Sequence, residues 1–442
     1  MKNIKDIKFL FIQLGCSKNR VDGEIMISSL SQAGAIPVDN EDDADVIIIN
    51  TCGFIEDAKK EAIEEILSAV DTEKKVIVTG CLAQRYKNEI MENIPEVSGV
   101  VGVFDIDKIT ECVYNAVKNQ KTDFFDTKKS VLYEDVRSRV LTTPFYYSFL
   151  KIADGCSNGC SYCTIPKIRG KYVSEPIEKL VKEAKWLSEN GITELIVIAQ
   201  DTSRYGLDIY GEKKLTALLN ELEKIEGFKW IRLHYLYPEA ITDEMLDYIK
   251  NSKKIIPYFD IPIQHINDRI LSLMNRKVSK NDIINLFEKI KTKMPGSVIR
   301  TSLISGFPSE TIEEHNELLE FVKKGYFDRL GVFPYSSEEG TKASRIKGKI
   351  PKKERQRRAD EIMQAQMEIS LNKNKIKKGK TFDVLVEGID TINNIYFGRT
   401  YMDSPEIDGT VYFSSENPCD IGDYVKVKIT DCDNYDLTGE AE

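Results

Sequence analysis

The sequence lacks long apolar runs and an excess of basic residues. No apolar run approaches the ~20 residues of a membrane span, and the N-terminal run that ends at Leu14 is short for a signal peptide and contains Gln13. The net charge of −9, from 71 acidic and 62 basic residues, does not favour a nucleic-acid binder unless the basic residues form a local patch. We therefore predict a cytoplasmic protein without membrane contact.

The cysteines are too few for a secreted disulfide scaffold, with nine in 442 residues, and in a reducing cytosol they point to metal or redox chemistry. Cys156, Cys160 and Cys163 lie in one loop with the spacing C-x3-C-x2-C, an odd set that leaves one thiol over in any disulfide scheme. A structural zinc site needs four ligands, yet no fourth cysteine follows in the loop and the nearest histidine is His234. Three thiolates without a fourth suggest an iron–sulfur cluster with one open iron. A zinc knuckle is the alternative.

The same loop resembles the signature of the radical S-adenosylmethionine (SAM) superfamily, in which an aromatic residue, here Tyr162, precedes the last cysteine. The resemblance implies a 4Fe–4S cluster whose open iron binds the amino and carboxylate groups of SAM, with Tyr162 among the cofactor-binding residues. Residues 306–310, Gly-Phe-Pro-Ser-Glu, are similar to the G-x-P-x-E turn that lies near the adenine in this superfamily.

Residues 1–120 predict a flavodoxin-like domain with a parallel sheet. Near-continuous apolar runs separated by helical patterns are typical of parallel strands buried on both faces. These runs are residues 8–14, 45–50 and 75–79. Cys16, Cys52 and Cys81 each follow one of the runs by one or two residues. Because the carboxyl ends of parallel strands meet at one edge, we expect these thiols to converge and bind a second iron–sulfur cluster. Three separately buried structural cysteines are the alternative.

Residues 145–345 repeat a strand and a helix six times, which predicts a partial, open (β/α)6 barrel. Residues 121–144 are predicted to link it to the first domain. Such barrels place their chemistry at the carboxyl ends of the strands, and the cysteine loop follows the first strand. At other strand ends, Gln200, Gln264 and Ser302 are candidates to hydrogen-bond SAM, with ordinary loop polarity as the alternative.

The C-terminal part of the chain changes character twice. Residues 346–375 are highly charged and predict one exposed helix that connects domains. Residues 376–442 show short β runs separated by Gly, Asn, Asp and Pro, which predicts a small antiparallel β-barrel. This last segment has 14 acidic and 6 basic residues and therefore a net charge of −8.

Together the three domains resemble the methylthiotransferase family over essentially the whole chain, with the C-terminal barrel as its TRAM domain. One branch, the RimO-type, modifies an aspartate of ribosomal small-subunit protein S-twelve, and another, the MiaB-type, modifies transfer RNA adenosine. The sequence resembles the RimO-type, whereas transfer RNA modifiers typically show GCQMN in the first motif. Gly23 departs from the family, which usually has serine there. The telling stretches are Gly15–Asp22, Asn50–Ile55, Gly80–Tyr86, Ala199–Gly206, Leu233–Pro238 and Asp260–Ile266.

The resemblance implies methylthiolation of the aspartate β-carbon with two 4Fe–4S clusters and SAM. The cluster on Cys156, Cys160 and Cys163 would start the radical, and the cluster on Cys16, Cys52 and Cys81 would carry the sulfur. The implied partners are protein S-twelve, free or in the assembling ribosome, an electron donor and a sulfur source. The acidic barrel suits a basic ribosomal protein.

Two alternatives stay open at this point. Transfer RNA methylthiolation would use the same chemistry, but an RNA-binding TRAM domain should be basic. A non-catalytic iron–sulfur electron carrier would need four-cysteine ligation, for which the remaining cysteines are badly placed.

Overall fold

The computed structural model describes residues 4–126 and 138–442. Over this part of the chain, two parallel sheets with their helices are followed by a long helix and a closed barrel. None of the described helices is both long and apolar enough to cross a lipid bilayer. The predicted α/β architecture with a terminal β-barrel is confirmed.

The first sheet has six parallel strands, as the apolar runs predict. Its strands are β1 (Lys8–Gln13), β2 (Ile36–Val38), β3 (Val46–Thr51), β4 (Lys75–Gly80), β5 (Val97–Val101) and β6 (Thr122–Phe124). Its helices are α1 (Ser17–Gln32), α2 (Glu56–Asp71), α3 (Cys81–Asn93) and α4 (Ile109–Val117). The strand order is β2-β1-β3-β4-β5-β6, a flavodoxin-like order with one added edge strand. Every residue of β3 is buried, because helices cover both faces of the sheet.

The segment 121–144, predicted to be a linker, carries structure at both of its described ends. Its start supplies the edge strand β6, which pairs in parallel with β5. Its end is packed, because Arg139 is buried and bonds Glu24 of α1 at 2.6 Å and Glu183 at 2.5 Å. The intervening residues 127–137 lie outside the described residues. A three-residue strand and one buried arginine carry too little periodicity to be read from a charged segment.

The second sheet is the predicted open barrel of six parallel strands. Its strands and short ladder are β7 (Tyr147–Lys151), β8 (Ala153–Asp154), β9 (Val173–Ser174), β10 (Glu194–Ile198), β11 (Trp230–Leu233), β12 (Ile255–Asp260), β13 (Val298–Ser305) and β14 (Arg329–Pro334). Its helices are α5 (Ile165–Ile168), α6 (Ile177–Glu189), α7 (Leu215–Glu223), α8 (Asp243–Asn251), α9 (Asp268–Leu273), α10 (Lys280–Lys293) and α11 (Ile312–Lys323). The order is β7-β10-β11-β12-β13-β14, with β8 and β9 forming a separate antiparallel ladder. Helices such as α6 bury one apolar face, Leu180, Ala184 and Leu187, against the outer side of the sheet.

The long helix α12 (Lys352–Lys375) follows the open barrel and packs along β14 and α11. The prediction of an exposed helix is wrong, since one of its faces is buried. That face combines Ala359 and Ile362 with polar groups that find partners, such as the Gln366 amide, which donates to the Phe327 carbonyl at 3.2 Å. Because the buried face of α12 is partly polar, its residues show no apolar periodicity in the sequence. The many charged residues therefore led to the prediction of an exposed helix.

The C-terminal domain is a closed barrel of five strands. They are β15 (Thr381–Asp390), β16 (Ile395–Arg399), β17 (Val411–Ser414), β18 (Tyr424–Cys432) and β19 (Leu437–Ala441). The strands close in the order β15-β16-β17-β19-β18, and one pair, β17 with β19, is parallel. The prediction of a wholly antiparallel barrel is thus corrected. Five is an odd number, so directions cannot alternate all the way around a closed barrel.

Residues 400–408 of the C-terminal domain form what we call the plug segment, which fills the concave face of the open barrel. Its Met402 packs with inward-facing side chains such as Ile196 and Tyr258, together with Val21 of α1. Tyr258 donates to Asp408 at 2.6 Å, and Ser404 lies 3.0 Å from the ring nitrogen Nε2 of His234. The C-terminal domain therefore completes the barrel interior.

Several acidic residues of the C-terminal domain form ion pairs with arginines where the domain contacts the rest of the protein. Asp403 pairs with Arg329, Asp408 lies 3.7 Å from the Arg300 guanidinium, and Glu406 binds Arg20 at 3.0 Å. Glu387 binds Arg399 within the domain at 2.7 Å. These carboxylates contribute to the net charge of −8 but are neutralised locally. Apart from Glu406, which is exposed but paired with Arg20, the exposed acidic residues are Asp383, Asp390, Glu416, Asp420, Asp423, Asp431, Asp433, Glu440 and Glu442.

Candidate active site

The loop with Cys156, Cys160 and Cys163 leaves the carboxyl end of β7 through the short strand β8. Gly155 and Gly159 take φ angles of +71° and +70°, which L side chains rarely adopt. A Cβ at Gly155 would also overlap the carbonyl oxygens of Lys171 and Arg169. The two glycines therefore bend the chain so that its three thiols converge.

Burial is the main influence on the thiols of this loop. It raises the pKa of Cys156 to about 11 and that of Cys163 to about 12, with the neighbouring thiols adding to both shifts. Thiols with such a high pKa are neutral near pH 7, and only a bound metal stabilises the thiolate form that ligates it. The loop is thus chemically inert until a metal group is inserted.

A cation and a phenol lie beside this loop. The Arg276 guanidinium and the Tyr237 hydroxyl are each 3.9 Å from the Cys160 sulfur, and Arg276 stacks 4.3 Å from the Tyr237 ring centroid. The guanidinium thus places a buried positive charge beside the cysteine loop. The sequence analysis did not find Arg276, since it lies far along the chain from the cysteine loop and belongs to no motif.

Cys16, Cys52 and Cys81 meet at the carboxyl edge of the first sheet. Cys16 directly precedes α1, Cys52 follows β3, and Cys81 begins α3. A Cβ at Gly15 would lie 3.0 Å from the Cβ of Cys52, and one at Gly53 would lie 3.0 Å from the carbonyl carbon of Cys81. The three strand ends therefore touch each other through glycines next to each cysteine.

The electrostatic environments of these three thiols differ. Burial and the neighbouring thiols raise the pKa of Cys52 to about 11, and burial raises the pKa of Cys81. Burial also opposes ionisation of Cys16, but the charges of Lys18 and Arg169 outweigh it and lower the pKa of that thiol. The Cys16 side chain is accessible to solvent, yet the surrounding protein still desolvates it. This combination is expected of a side chain that lines a cavity. Cys16 is the most readily ionised thiol of its set.

In residues 4–126 and 138–442, no three His, Cys, Asp or Glu side chains lie close enough to hold a single metal ion. A structural zinc site takes four ligands, at about 2.3 Å for sulfur, and each cysteine set offers three. Thiolates that each bind a different iron of a cubane stand further apart. Two sets of three thiols, each without a fourth, fit a 4Fe–4S group better than a zinc ion.

An ion-pair network connects the two sets of cysteines. Arg169 lies at the end of the loop that carries Cys156, Cys160 and Cys163. It donates to Asp22 of α1 at 2.8 Å, to Asp154 at 3.0 Å and to Asn19 at 3.2 Å. Lys151 bonds both carboxylates, at 3.2 Å for Asp154. We call these residues the bridging network. Asp22 lies in a motif quoted above, but nothing in the sequence indicated that it pairs with Arg169.

Of the four predicted SAM contacts, Gln200 and Gln264 follow the carboxyl ends of β10 and β12, Tyr162 lies in the cysteine loop, and Ser302 lies within β13. Gln200 donates to Asp154 at 3.0 Å, and its side-chain oxygen is buried without a partner. Gln264 has a φ of +71°, and its backbone nitrogen donates to the Ser302 carbonyl at 2.9 Å. Tyr162 packs on the apolar cluster around Phe307. Their roles stay predictions.

The Gly306–Glu310 turn is closed by its own glutamate. Glu310 accepts hydrogen bonds from the backbone nitrogens of Gly306 at 2.9 Å and Phe307 at 3.0 Å. Arg358 of α12 binds the other carboxylate oxygen at 2.8 Å. Burial opposes ionisation of Glu310, but the His265 ring 3.7 Å away and the hydrogen bonds from Arg358 and the Phe307 nitrogen outweigh it and lower the pKa of Glu310, so the turn carries a carboxylate. The long helix thus supports a turn at the edge of the site.

Three family profiles match the chain in the order of its domains. Residues 8–102 match the uncharacterized protein family UPF0004, residues 150–322 match the radical SAM superfamily, and residues 379–441 match the TRAM domain. Each range falls within one of the three domains described above.

Two full-length relatives carry the name ribosomal protein uS12 methylthiotransferase RimO. The protein of Lachnoclostridium phytofermentans is 46% identical over 443 residues, covering 99% of this chain and 100% of the relative. The protein of a Thermoanaerobacter species is 46% identical over 444 residues, covering 100% of both. Among solved structures, the radical SAM methyltransferase TsrM from Kitasatospora setae, with tryptophan and a SAM analogue, has a TM-score of 0.55 and 14% identity over 75% of this chain and 74% of its own. That likeness shows the fold alone.

Proposed function

The chain belongs to the radical SAM methylthiotransferases named RimO, which act on ribosomal protein uS12, and from this premise we propose that it attaches a methylthio group to the β-carbon of an aspartate in uS12. The coarse activity, radical SAM methylthiotransferase, follows from family membership. The aspartate, the carbon and the division of labour between the two cysteine sets are the proposal.

The observation that carries the proposal is the presence of two three-thiol sets joined by the bridging network. SAM and 4Fe–4S clusters are the cofactors of such enzymes, and we assign one cluster to each set. When bound, the cluster on Cys156, Cys160 and Cys163 supplies the electron that cleaves SAM, and the cluster on Cys16, Cys52 and Cys81 supplies the sulfur. An unactivated C–H bond requires such cofactor chemistry, since acid–base groups cannot break it.

The chain's own residues position these groups and keep water away. Arg169 binds Asp22 and Asp154 and thereby holds the loop that carries Cys156, Cys160 and Cys163 at a fixed distance from α1 of the first domain. The buried, unpartnered oxygen of Gln200 is available to accept a hydrogen bond from the amino group of SAM. Arg276 supplies positive charge beside Cys160. Each role rests on contact geometry within the described residues.

The charge of the C-terminal barrel supports a protein partner. After the acids that pair with arginines are set aside, the exposed acidic side chains still outnumber the exposed lysines Lys378, Lys380, Lys426 and Lys428. Such a surface attracts a basic ribosomal protein and repels RNA phosphates. Transfer RNA methylthiolation is therefore the weaker candidate.

Mass spectrometry tests the proposal directly. The anaerobically reconstituted enzyme, incubated with SAM, a sulfide source, a reductant and uS12, should add one SCH2 unit to one aspartate. The variant Cys81→Ala should yield no product, and Cys419→Ala, at a cysteine remote from both sets, should leave the product unchanged. A methylthio group found on transfer RNA and not on uS12 would favour the MiaB-type reaction. Absence of 5′-deoxyadenosine would favour the electron carrier.

A further inference from the structure

Lys18 is a buried cation at the junction of the first domain and the open barrel. It is the second residue of α1, two positions after Cys16, and only 8% of its surface is exposed. Its ammonium lies 3.3 Å from the ring centroid of Tyr235, which follows β11 at the carboxyl edge of the barrel. The side chain thus reaches from the first cysteine set toward the open edge where barrel chemistry takes place.

Within the described chain, no carboxylate lies at ion-pair distance from this ammonium. Neighbouring buried cations behave differently, since Lys151, Arg169 and Arg139 each bind two carboxylates. Asp22, one helical turn after Lys18, is already occupied by Lys151 and Arg169. A buried lysine is rare unless it is paired, and an aromatic face replaces only part of the lost hydration.

The position of Lys18 in its helix adds to this cost. The N-terminal turn of a helix carries partial positive charge, so a cation there is unfavourable. The chain therefore places a cation without a carboxylate partner where both burial and the helix dipole oppose it, with the Cys16 thiol and the Tyr235 ring as its neighbours. A residue kept at such a cost, beside the site, is suited to bind an anion that arrives from outside the chain.

Tyr235, beneath Lys18, is held in a strained backbone conformation. Its φ is +60°, which is costly for an aromatic residue. Asp260 accepts a hydrogen bond from the Tyr235 nitrogen at 3.1 Å, and the Tyr235 carbonyl accepts one from Thr202 at 3.0 Å. Strain of this kind clusters at functional sites, and here it aims the ring at the ammonium.

We propose that Lys18 binds the carboxylate of the target aspartate and is the residue that selects aspartate. This inference rests on the proposed function, in which the reacting atom is the aspartate β-carbon. That carbon is one bond from the carboxyl carbon, so a grip on the carboxylate fixes the carbon to be modified. Cys16, two residues away, places the first cysteine set next to it. Asparagine has the same shape without the charge and should be rejected.

The first test needs no variant. Binding of a uS12 loop peptide to the reconstituted holoenzyme with SAM is measured by fluorescence anisotropy, with aspartate or asparagine at the target position. We expect the aspartate peptide to bind at least about tenfold more tightly, as for a desolvated charge pair that loses one partner. Equal affinities would overturn the proposal.

The second test uses Lys18→Met, which keeps the length of the side chain and removes the charge, and Lys18→Arg, which keeps the charge. Lys18→Met should lose the preference for aspartate over asparagine, and Lys18→Arg should retain part of it. Lys60→Met, on the exposed face of α2, is the matched control and should behave as wild type.

Iron content, the EPR spectrum of the reduced protein and peptide-independent SAM cleavage show whether Lys18 binds the target carboxylate or instead supports the cluster of the first cysteine set. Iron content and peptide-independent SAM cleavage should be unchanged in Lys18→Met, because all six thiols are retained, whereas the EPR signal of the first cysteine set is allowed to shift, since Lys18 lies two residues from Cys16. Loss of iron or an altered spectrum with the aspartate preference intact would show that the charge serves the first cysteine set and would contradict the proposal. If Lys18→Met fails to fold, the wild-type comparison of the two peptides decides. Wild-type enzyme that binds the peptide but never methylthiolates it would refute the proposed function and leave the Lys18 test standing.

Discussion

The two cysteine sets are built in opposite ways. Cys156, Cys160 and Cys163 lie within one loop, whose glycines alone bend the chain around them. Cys16, Cys52 and Cys81 are brought together only when three parallel strands assemble into a sheet. The local set is a motif that sequence reveals directly, and the assembled set is a property of the fold. The bridging network makes the two depend on each other.

Removing one cysteine from each set should separate the two roles, and this is the largest effect we expect. Cys156→Ala should abolish 5′-deoxyadenosine and product together, because our proposal assigns SAM cleavage to the local set. Cys52→Ala should abolish the methylthio product and retain 5′-deoxyadenosine formation. Liquid chromatography with mass detection measures both. The same loss of 5′-deoxyadenosine in both variants would mean that the sets do not divide the chemistry.

The bridging network is tested by Arg169→Gln. The substitution leaves Asp22 and Asp154 with less positive charge in a buried place, and should reduce the free energy of unfolding by about 3–5 kcal/mol. Urea denaturation of the anaerobic protein measures this. Arg357→Gln removes an exposed arginine that also pairs with two carboxylates, and should leave the free energy of unfolding nearly unchanged. Equal losses for the two variants would show that the network does not couple the domains.

The self-sufficiency of the local loop is tested by Gly155→Ala. A Cβ there meets backbone oxygens, and the loop has to shift. We expect loss of iron from the local set and of SAM cleavage, with the assembled set unaffected. Gly211→Ala is the control, because Gly211 has a φ of +76° and nothing within 4 Å. It should cost only the ~1–2 kcal/mol of the left-handed conformation and keep its iron.

The smallest effect is a difference in reactivity between thiols of the apoprotein. Only thiolate reacts with iodoacetamide. Cys16, whose pKa is lowered by Lys18 and Arg169 against the effect of burial, should be alkylated first near pH 7. Cys52 and Cys163, with pKa values raised by burial to about 11 and about 12, should react appreciably only as pH approaches those values. Peptide mapping across pH measures this, and equal rates at pH 7 would contradict the assigned environments.

The contrast between the two sets also explains what the sequence could reveal. The spacing within one loop predicted the local set. The shared position of Cys16, Cys52 and Cys81 after predicted strands predicted the assembled set. Arg169, Arg276 and the buried face of α12 were missed, because each acts on residues distant in sequence and has a polar partner.

The plug segment was missed for a related reason. Its acids Asp403 and Asp408 read as surface charge, yet they meet Arg329 and Arg300 inside the open barrel. Polar pairs across domains have no periodicity. The parallel pair of strands in the C-terminal barrel follows from the odd strand number, and the fifth strand, β19, was not among the predicted β runs.

The central claim is that each cysteine set holds its own four-iron cluster. Iron and acid-labile sulfide per chain, measured after anaerobic reconstitution of wild type, Cys156→Ala and Cys52→Ala, test it most directly. We predict about eight irons in wild type and about four in each variant. About one metal ion per set, or about four irons in wild type that vanish in only one variant, would contradict the account.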